Sequence, residues 1–315
     1  MSASSPRCAK SSRADVRIRK LVVVGVGLIG GSVALALKRA NAVDQVVGVG
    51  RTRTNLDTAR ERGIVDRALT LDMPWAREAA DADVVLLAAP VAQFAPLLET
   101  LATAIGANVA ITDAGSTKQD VIAAARGALG ERFASFVPAH PIAGTEHTGA
   151  AAAFPSLYEG RSVILTPLDE TDDDAIALVT AMWQACGARV STLAPDRHDT
   201  IFAAVSHLPH VLAFTLVAEL AARPDAAAYF DNAASGFRDF TRIAGSSPEM
   251  WRDIALANRE ALLAEIDVYG DALAAARALI SEGDGEALAE MFSQASVARR
   301  AWEAQRVRPV PQDDS

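Results

Sequence analysis

The 315-residue chain predicts an α/β N-terminal domain on a doubly wound parallel sheet, followed by an all-α C-terminal domain. Three observations predict it. Residues 20 to about 167 alternate short apolar runs with amphipathic helical patterns, the rhythm of βαβ units. The first run ends in Gly25-Val26-Gly27-Leu28-Ile29-Gly30, a Gly-x-Gly-x-x-Gly turn that opens a helix. From about residue 195 strand-like runs stop, and long Ala- and Leu-rich helical segments take over.

The strands are expected at 21–24, 45–49, 84–88, 109–112, 135–138 and 162–165, the last as an addition to the sheet. After the first strand, Gly25 allows the tight turn, Gly27 lets a pyrophosphate approach the backbone, and Gly30 lets helix and strand pack closely. The amides around Leu28 and Ile29 then face the phosphates at a helix N-terminus. In this strand–turn–helix setting the motif predicts a dinucleotide-binding Rossmann domain. Helices are expected at 196–221, 225–236, 248–264, 266–281 and 284–304, punctuated by Pro224, Ser246-Ser247-Pro248 and Gly283-Asp284-Gly285. Ser247-Pro248-Glu249 reads as an N-cap, a Pro at N1 and an acidic first turn. The expected organisation is a disordered tail at 1–19, a Rossmann domain at 20–193, a helical substrate and dimerisation domain at 194–305, and a tail at 306–315. Helices this apolar must bury several faces, which predicts a homodimer.

Hydrophobic residues make up 50% of the chain, so it is expected to be globular. The N-terminal 19 residues are Ser- and Arg-rich without an apolar stretch, unlike a secretory signal, and no apolar run is read as membrane-spanning. Two cysteines, Cys8 and Cys186, supply neither a disulfide framework nor a metal cluster, and they fit a reducing cytoplasm. A net charge of −9 and a pI near 5.1 argue against nucleic acid as the main partner.

An NAD-binding unit usually carries Asp or Glu about 20 residues past the glycines, to bind the ribose 2′-hydroxyl. Gly50 stands there, followed by Arg51, Thr52 and Arg53. A guanidinium suits a 2′-phosphate, so NADP is favoured, with NAD possible.

Four further segments carry chemistry. Asp113-Ala114-Gly115-Ser116-Thr117-Lys118 and Ala139-His140-Pro141-Ile142-Ala143-Gly144-Thr145-Glu146 each follow a strand. They therefore put Ser116 and His140 at the carboxyl edge of the sheet, where ligands of open α/β sheets bind. Ser116 also reads as a helix N-cap. Ser206-His207-Leu208-Pro209-His210 puts two imidazoles at i, i+3 on a helix, without companion ligands for a metal. Phe237 to Ala244, with Met250-Trp251-Arg252, supplies cations and an aromatic.

Together these segments resemble the prephenate/arogenate dehydrogenase family of tyrosine biosynthesis, over about residues 20–300. The resemblance implies an oxidoreductase for a small-molecule substrate. A cyclohexadienol gives hydride from C4 to a nicotinamide cofactor, loses CO2 from C1 and becomes aromatic. It implies His140 as the catalytic acceptor at the C4 hydroxyl and Ser116 beside it and the nicotinamide. It implies Arg242 for the substrate side-chain carboxylate, His210 for substrate, and Trp251, Thr145 and Glu146 near the site. His207 is expected to be structural and Arg238 to pair with Asp239. Rival readings are a non-catalytic dinucleotide sensor and a β-hydroxyacid-type dehydrogenase. The latter uses a lysine in its helical domain, and this chain has no lysine beyond Lys118.

Overall fold

The computed structural model describes residues 16–145 and 147–307; the expected tails fall largely outside them, and Ile18 already begins the first strand. Among the described residues nine strands form: β1 (Ile18–Val24), β2 (Val43–Gly50), β3 (Arg67–Thr70), β4 (Val84–Leu87), β5 (Ala110–Asp113), β6 (Phe136–Val137), β7 (Ala139–Pro141), β8 (Ser162–Leu165) and β9 (Arg189–Thr192). The first six make one parallel sheet in the order β3-β2-β1-β4-β5-β6. The order reverses between β1 and β4, the switch point at which such sheets open a ligand crevice.

Side chains alternate along β1 into two cores. Leu21 and Val23 join one with Leu37, Val179 and Trp183, while Val22 and Val24 join the other with Phe94, Leu98 and Val121. Helices α1 (Leu28–Arg39), α2 (Arg53–Glu61), α3 (Phe94–Ala102), α4 (Gln119–Leu129) and α5 (Asp173–Ala185) supply the covering residues. Both faces are buried, which explains why the central strands read as unbroken apolar runs.

Two expected strands change place. The run expected at 135–138 shortens to β6, and an unexpected strand, β7, follows Pro138. Ser162–Leu165 does not extend the main sheet; it pairs antiparallel with β7 and parallel with β9. Pro138 lacks an N–H for a ladder, so β7 departs there and carries His140 into a separate three-stranded sheet. β3 and β9 escaped the sequence reading because they are short and polar, with exposed Arg67 and Arg189.

The remaining helices are α6 (Pro195–Phe202), α7 (Leu208–Ala221), α8 (Ala226–Asp231), α9 (Ser235–Thr241), α10 (Pro248–Ala257), α11 (Arg259–Glu282) and α12 (Gly285–Val307). The single helix expected at 196–221 is interrupted by a π-turn, Ala203–His207, between α6 and α7. Pro209 cannot donate to the carbonyl one turn back and its ring crowds that carbonyl; widening the preceding turn relieves both. Over its whole length, 195–221 is long and apolar enough to cross a bilayer, contrary to the expectation that no such run exists. Its first half, however, buries His198, Asp199, Phe202 and His207 within the protein. The helix expected at 225–236 is two short ones, α8 and α9. The expected break near 265 falls instead at Asn258, whose side chain is committed elsewhere.

The chain divides into two compact units, 1–262 and 263–315. The first contains both sheets and α6 to α10. The second holds most of α11 and all of α12, with Leu273, Ile280, Phe292 and Trp302 exposed.

Candidate active site

The glycine turn takes the form its spacing predicts. Gly25 sits at φ +103°, and a Cβ there would meet the Ala88 carbonyl oxygen at 2.4 Å. A Cβ on Gly30 would meet the Gly25 carbonyl oxygen at 2.3 Å. Gly27 is different: nothing lies within 4 Å of its Cβ position. It is the N-cap of α1 and no side chain caps that helix. The open space beside uncapped first-turn amides, including those near Leu28 and Ile29, fits a pyrophosphate. At the end of β2, Arg51 and Thr52 are exposed, and Arg51 has no ion-pair partner among the described residues. Asn55 ties this region to a later loop: its amide donates to the Val26 carbonyl at 2.7 Å and its oxygen accepts from the Ala150 amide.

At the carboxyl edge of the sheet, Asp113 and Lys118 form a fully buried ion pair, Nζ to Oδ2 2.5 Å. Asp113 also accepts from the amides of Gly115 (2.7 Å) and Ala139 (2.9 Å), and Lys118 donates to the Ala139 carbonyl at 2.7 Å. Both polar groups of Ala139, the residue before His140, are thus held by one ion pair. Burial pushes the Asp113 carboxyl up, against the opposing pull of Lys118 and of the two amides.

His140 is 8% exposed. Its Nδ1 lies 2.8 Å from Nε2 of His198, and Nδ1 of His198 lies 2.9 Å from Oδ1 of Asp199. Phe202 packs on both rings, with centroids at 4.7 and 4.5 Å. The network assigns the tautomers. Ionised Asp199 can only accept, so His198 donates from Nδ1. The bare Nε2 of neutral His198 then accepts from His140 Nδ1–H, which leaves the lone pair of His140 on Nε2. Burial first, then the electrostatic influence of neighbouring His198, Lys118 and His207, holds His140 well below the usual imidazole value, so the ring is neutral near pH 7.

Asp199 also accepts from the amides of Lys118 (2.9 Å) and Gln119 (2.8 Å). A carboxylate from α6 therefore caps α4. This corrects the reading of Ser116 as an N-cap: α4 begins at Gln119 and its N-cap residue is Lys118. Ser116 is half-buried in the loop between β5 and α4 and, among the described residues, makes no hydrogen bond to His140. Asn258 completes the cluster, donating to the Asp199 carbonyl at 2.8 Å and to Nδ1 of His207 at 3.1 Å. Neutral His207 then carries its proton on Nε2, which is buried and without a partner.

Burial lowers His207 from 6.5 to about 4. Its folded value lies below its unfolded one, so its contribution to stability is complete above pH 6.5 and is lost as pH falls toward 4. We expect His207→Asn, which keeps the acceptor for Asn258, to flatten the loss of thermal stability across that window. An unchanged slope by pH-resolved thermal melts contradicts this.

His210 follows on α7. Its Nδ1 donates to the Ser206 carbonyl at 2.8 Å, and its ring stacks on Trp251 at 3.4 Å and 17°. Burial, and then nearby Arg242, lower its pKa. Arg242 itself is exposed at the start of a 3-10 turn after α9, and Arg238 pairs with Asp239 at 3.8 Å on the surface. His140, His198, Asp199, Asn258, His207, Trp251 and His210 therefore form a connected series within one compact unit, and the charge of Arg242 acts on His210 at its end. Thr145 is exposed on the loop after β7 and accepts from the His147 amide; Glu146 lies outside the described residues. Among the described residues no group of His, Cys, Asp or Glu is arranged to hold a metal ion.

Comparison with known proteins decides the family. Residues 33–192 match the family model described as "Prephenate dehydrogenase, nucleotide-binding domain", and 194–294 match "Prephenate dehydrogenase, dimerization domain". The chain belongs to the prephenate dehydrogenase family. It is 35% identical over 277 residues to a prephenate dehydrogenase of Bacillus subtilis, covering 87% of this chain and 74% of that one. It is also 35% identical over 295 residues to a cyclohexadienyl dehydrogenase of Zymomonas mobilis, covering 92% and 99%. Among solved structures, the prephenate dehydrogenase of Aquifex aeolicus in complex with hydroxyphenyl propionate and NAD+ superposes with a TM-score of 0.85. It has 35% identity and covers 91% of this chain and 99% of that one. Like its relatives, this dehydrogenase is an oxidoreductase that uses a nicotinamide dinucleotide.

The sequence reading named His140, His207, His210, Trp251 and Arg242 but missed His198, Asp199 and Asn258. Their signal was faint: Arg197-His198-Asp199 resembles an ordinary polar first turn after Pro195. Only the loss of all exposure at His198 distinguishes it.

Proposed function

We propose that this dehydrogenase acts on prephenate, arogenate or both, giving 4-hydroxyphenylpyruvate or tyrosine by oxidative decarboxylation. The observation that carries the reading is His140: a neutral, buried imidazole at the sheet edge with its lone pair on Nε2, in the same compact unit as the glycine turn. Bound nicotinamide supplies the acceptor for the hydride of C4. The remaining work falls to the chain. His140 takes the proton of the C4 hydroxyl as the carbonyl forms. The carboxylate on C1 then leaves as CO2, its electron pair enters the ring, and the proton returns to the phenolate oxygen. Aromatisation makes the sequence downhill, so the protein's task is orientation and a correctly protonated base.

Arg242 binds the side-chain carboxylate of the substrate, and the stacked His210–Trp251 pair forms an adjoining wall. Thr145 borders the site on the loop after β7. Gly25, Gly27, Leu28, Ile29 and Gly30 hold the pyrophosphate, and Ser116 lies on the nicotinamide side. The pairing of a dimerisation domain with exposed apolar residues on α11 and α12 supports a homodimer, and the biosynthetic role supports a cytoplasmic location. The test is an assay of reduced-cofactor absorbance with prephenate and arogenate, each with NAD and NADP; no turnover in all four mixtures sinks the reading.

The cofactor is NADP in preference to NAD, supported by Gly50 where a carboxylate would stand and by exposed Arg51, which has no ion-pair partner among the described residues. Arg51→Ala is expected to lower kcat/KM for NADP by about tenfold while leaving that for NAD nearly unchanged, the scale of one charge-assisted phosphate contact. A wild type that prefers NAD and does not respond to the substitution refutes it.

A further inference from the structure

We propose that the proton taken from the substrate hydroxyl does not stay on His140 but passes to His198, where Asp199 balances its charge. The inference rests on His140 being the base and adds a second imidazole to its action. Three observations converge on it. The two rings are joined nitrogen to nitrogen at 2.8 Å, and the second ring is joined to a carboxylate at 2.9 Å. All three side chains are buried, and Phe202 lies against both rings, so the line is shielded from water. Finally, Asp199 is anchored by two backbone amides, Lys118 at Oδ1 and Gln119 at Oδ2, and through its own carbonyl by Asn258, which fixes the far end of the line.

The protons balance as follows. The substrate O–H bond breaks and a new N–H bond forms at Nε2 of His140. The N–H bond at Nδ1 of His140 breaks and one forms at Nε2 of His198. His198 keeps its Nδ1–H to Asp199 and becomes an imidazolium beside a carboxylate. After CO2 leaves, both transfers reverse and the phenolate receives a proton, so none is lost to solvent.

The surroundings explain why the charge belongs on the second ring. His198 faces Asp199 from its own helix, Lys118 and Asp113 from the strand–helix loop of the main sheet, His140 from β7 and His207 from the π-turn. Burial disfavours its charged form and lowers its pKa; Asp199 and Asp113 work against that, while Lys118 adds to it. Among the described residues no carboxylate hydrogen-bonds to His140; burial, His198, Lys118 and His207 all oppose its charged form. A proton is therefore worth more on His198 than on His140. His198 is a positioning residue in the resting enzyme, because it fixes the tautomer of His140, and a proton carrier during turnover.

Two measurements test this. The first uses the full-length protein with 15N-labelled histidine and no ligand, titrated from pH 8 to 4. The expected spectrum at pH 8 shows Nδ1–H on both rings. On acidification His198 gains its second N–H while Nε2 of His140 stays bare. Protonation of His140 first, or an Nε2–H tautomer of His140 at pH 8, overturns the proposal. The second compares His198→Gln with wild type. The glutamine carbonyl still accepts from His140 Nδ1–H but cannot take a proton. We expect kcat to fall at least about tenfold with KM unchanged, and the two-proton solvent isotope inventory of wild type to become a one-proton one. Turnover within about twofold of wild type would show that His198 is only an acceptor that holds the ring, and it overturns the proposal. Measuring His140→Asn in parallel separates the two claims. If that variant is inactive while His198→Gln is normal, only the relay fails; if both are fully active, the role of His140 fails as well.

Discussion

His140→Asn is expected to lower kcat by about two orders of magnitude or more, the scale of losing a general base, with KM within roughly threefold of wild type. The substitution suits the geometry. An asparagine amide still reaches His198 in place of Nδ1–H, so the His198–Asp199 line and the packing of Phe202 survive while Nε2 disappears. Arg242→Ala offers the contrast: it removes a carboxylate ligand remote from C4 and should raise KM chiefly. Steady-state kinetics with saturating cofactor separates the two patterns. Near-full turnover in His140→Asn would end the assignment of the base, however well the fold is preserved.

Lys118→Met should be the most damaging single change to stability. The substitution leaves Asp113 buried and without its counter-charge, while the Ala139 carbonyl loses a donor. Breaking a buried ion pair from one side costs about 3–5 kcal/mol. The thermal midpoint should therefore fall by roughly 5–15 °C. Adding Asp113→Asn should recover part of that loss by removing the stranded charge. It should not recover all, because an amide nitrogen would then face one of the amides that the carboxylate now accepts from. Melting curves of the single and double variants decide it. A Lys118→Met protein as stable as wild type would mean that Asp113 is carried uncharged. Because the pair holds Ala139, the variant should also lose activity at temperatures where it remains folded.

Much of this was legible in the chain. The apolar run at 21–24 could only be a strand buried on both faces, and the glycine spacing after it could only serve a tight turn and a close approach to the backbone. Those inferences rest on local sterics, which are the same in any tertiary setting. The change from strand runs to helical periodicity near residue 195 was equally plain, as was the Ser247 cap, whose hydroxyl accepts from the Met250 amide. The chemical residues with a motif around them, His140 and the His207/His210 pair, stood out for the same reason.

What the sequence determined by itself was the kind of fold and the pieces of a site: a nucleotide turn, an imidazole at a sheet edge, and helical residues to meet a substrate. The tertiary structure alone decided how those pieces are joined. It moved His140 off the main sheet at Pro138, replaced a local cap on α4 with Asp199 from a helix some 80 positions later, and set His198 behind His140. The physical reason is that local preference fixes backbone conformation. Which nitrogen carries a proton, and which carboxylate faces it, depends on buried partners from distant segments, and spacing along the chain does not encode them.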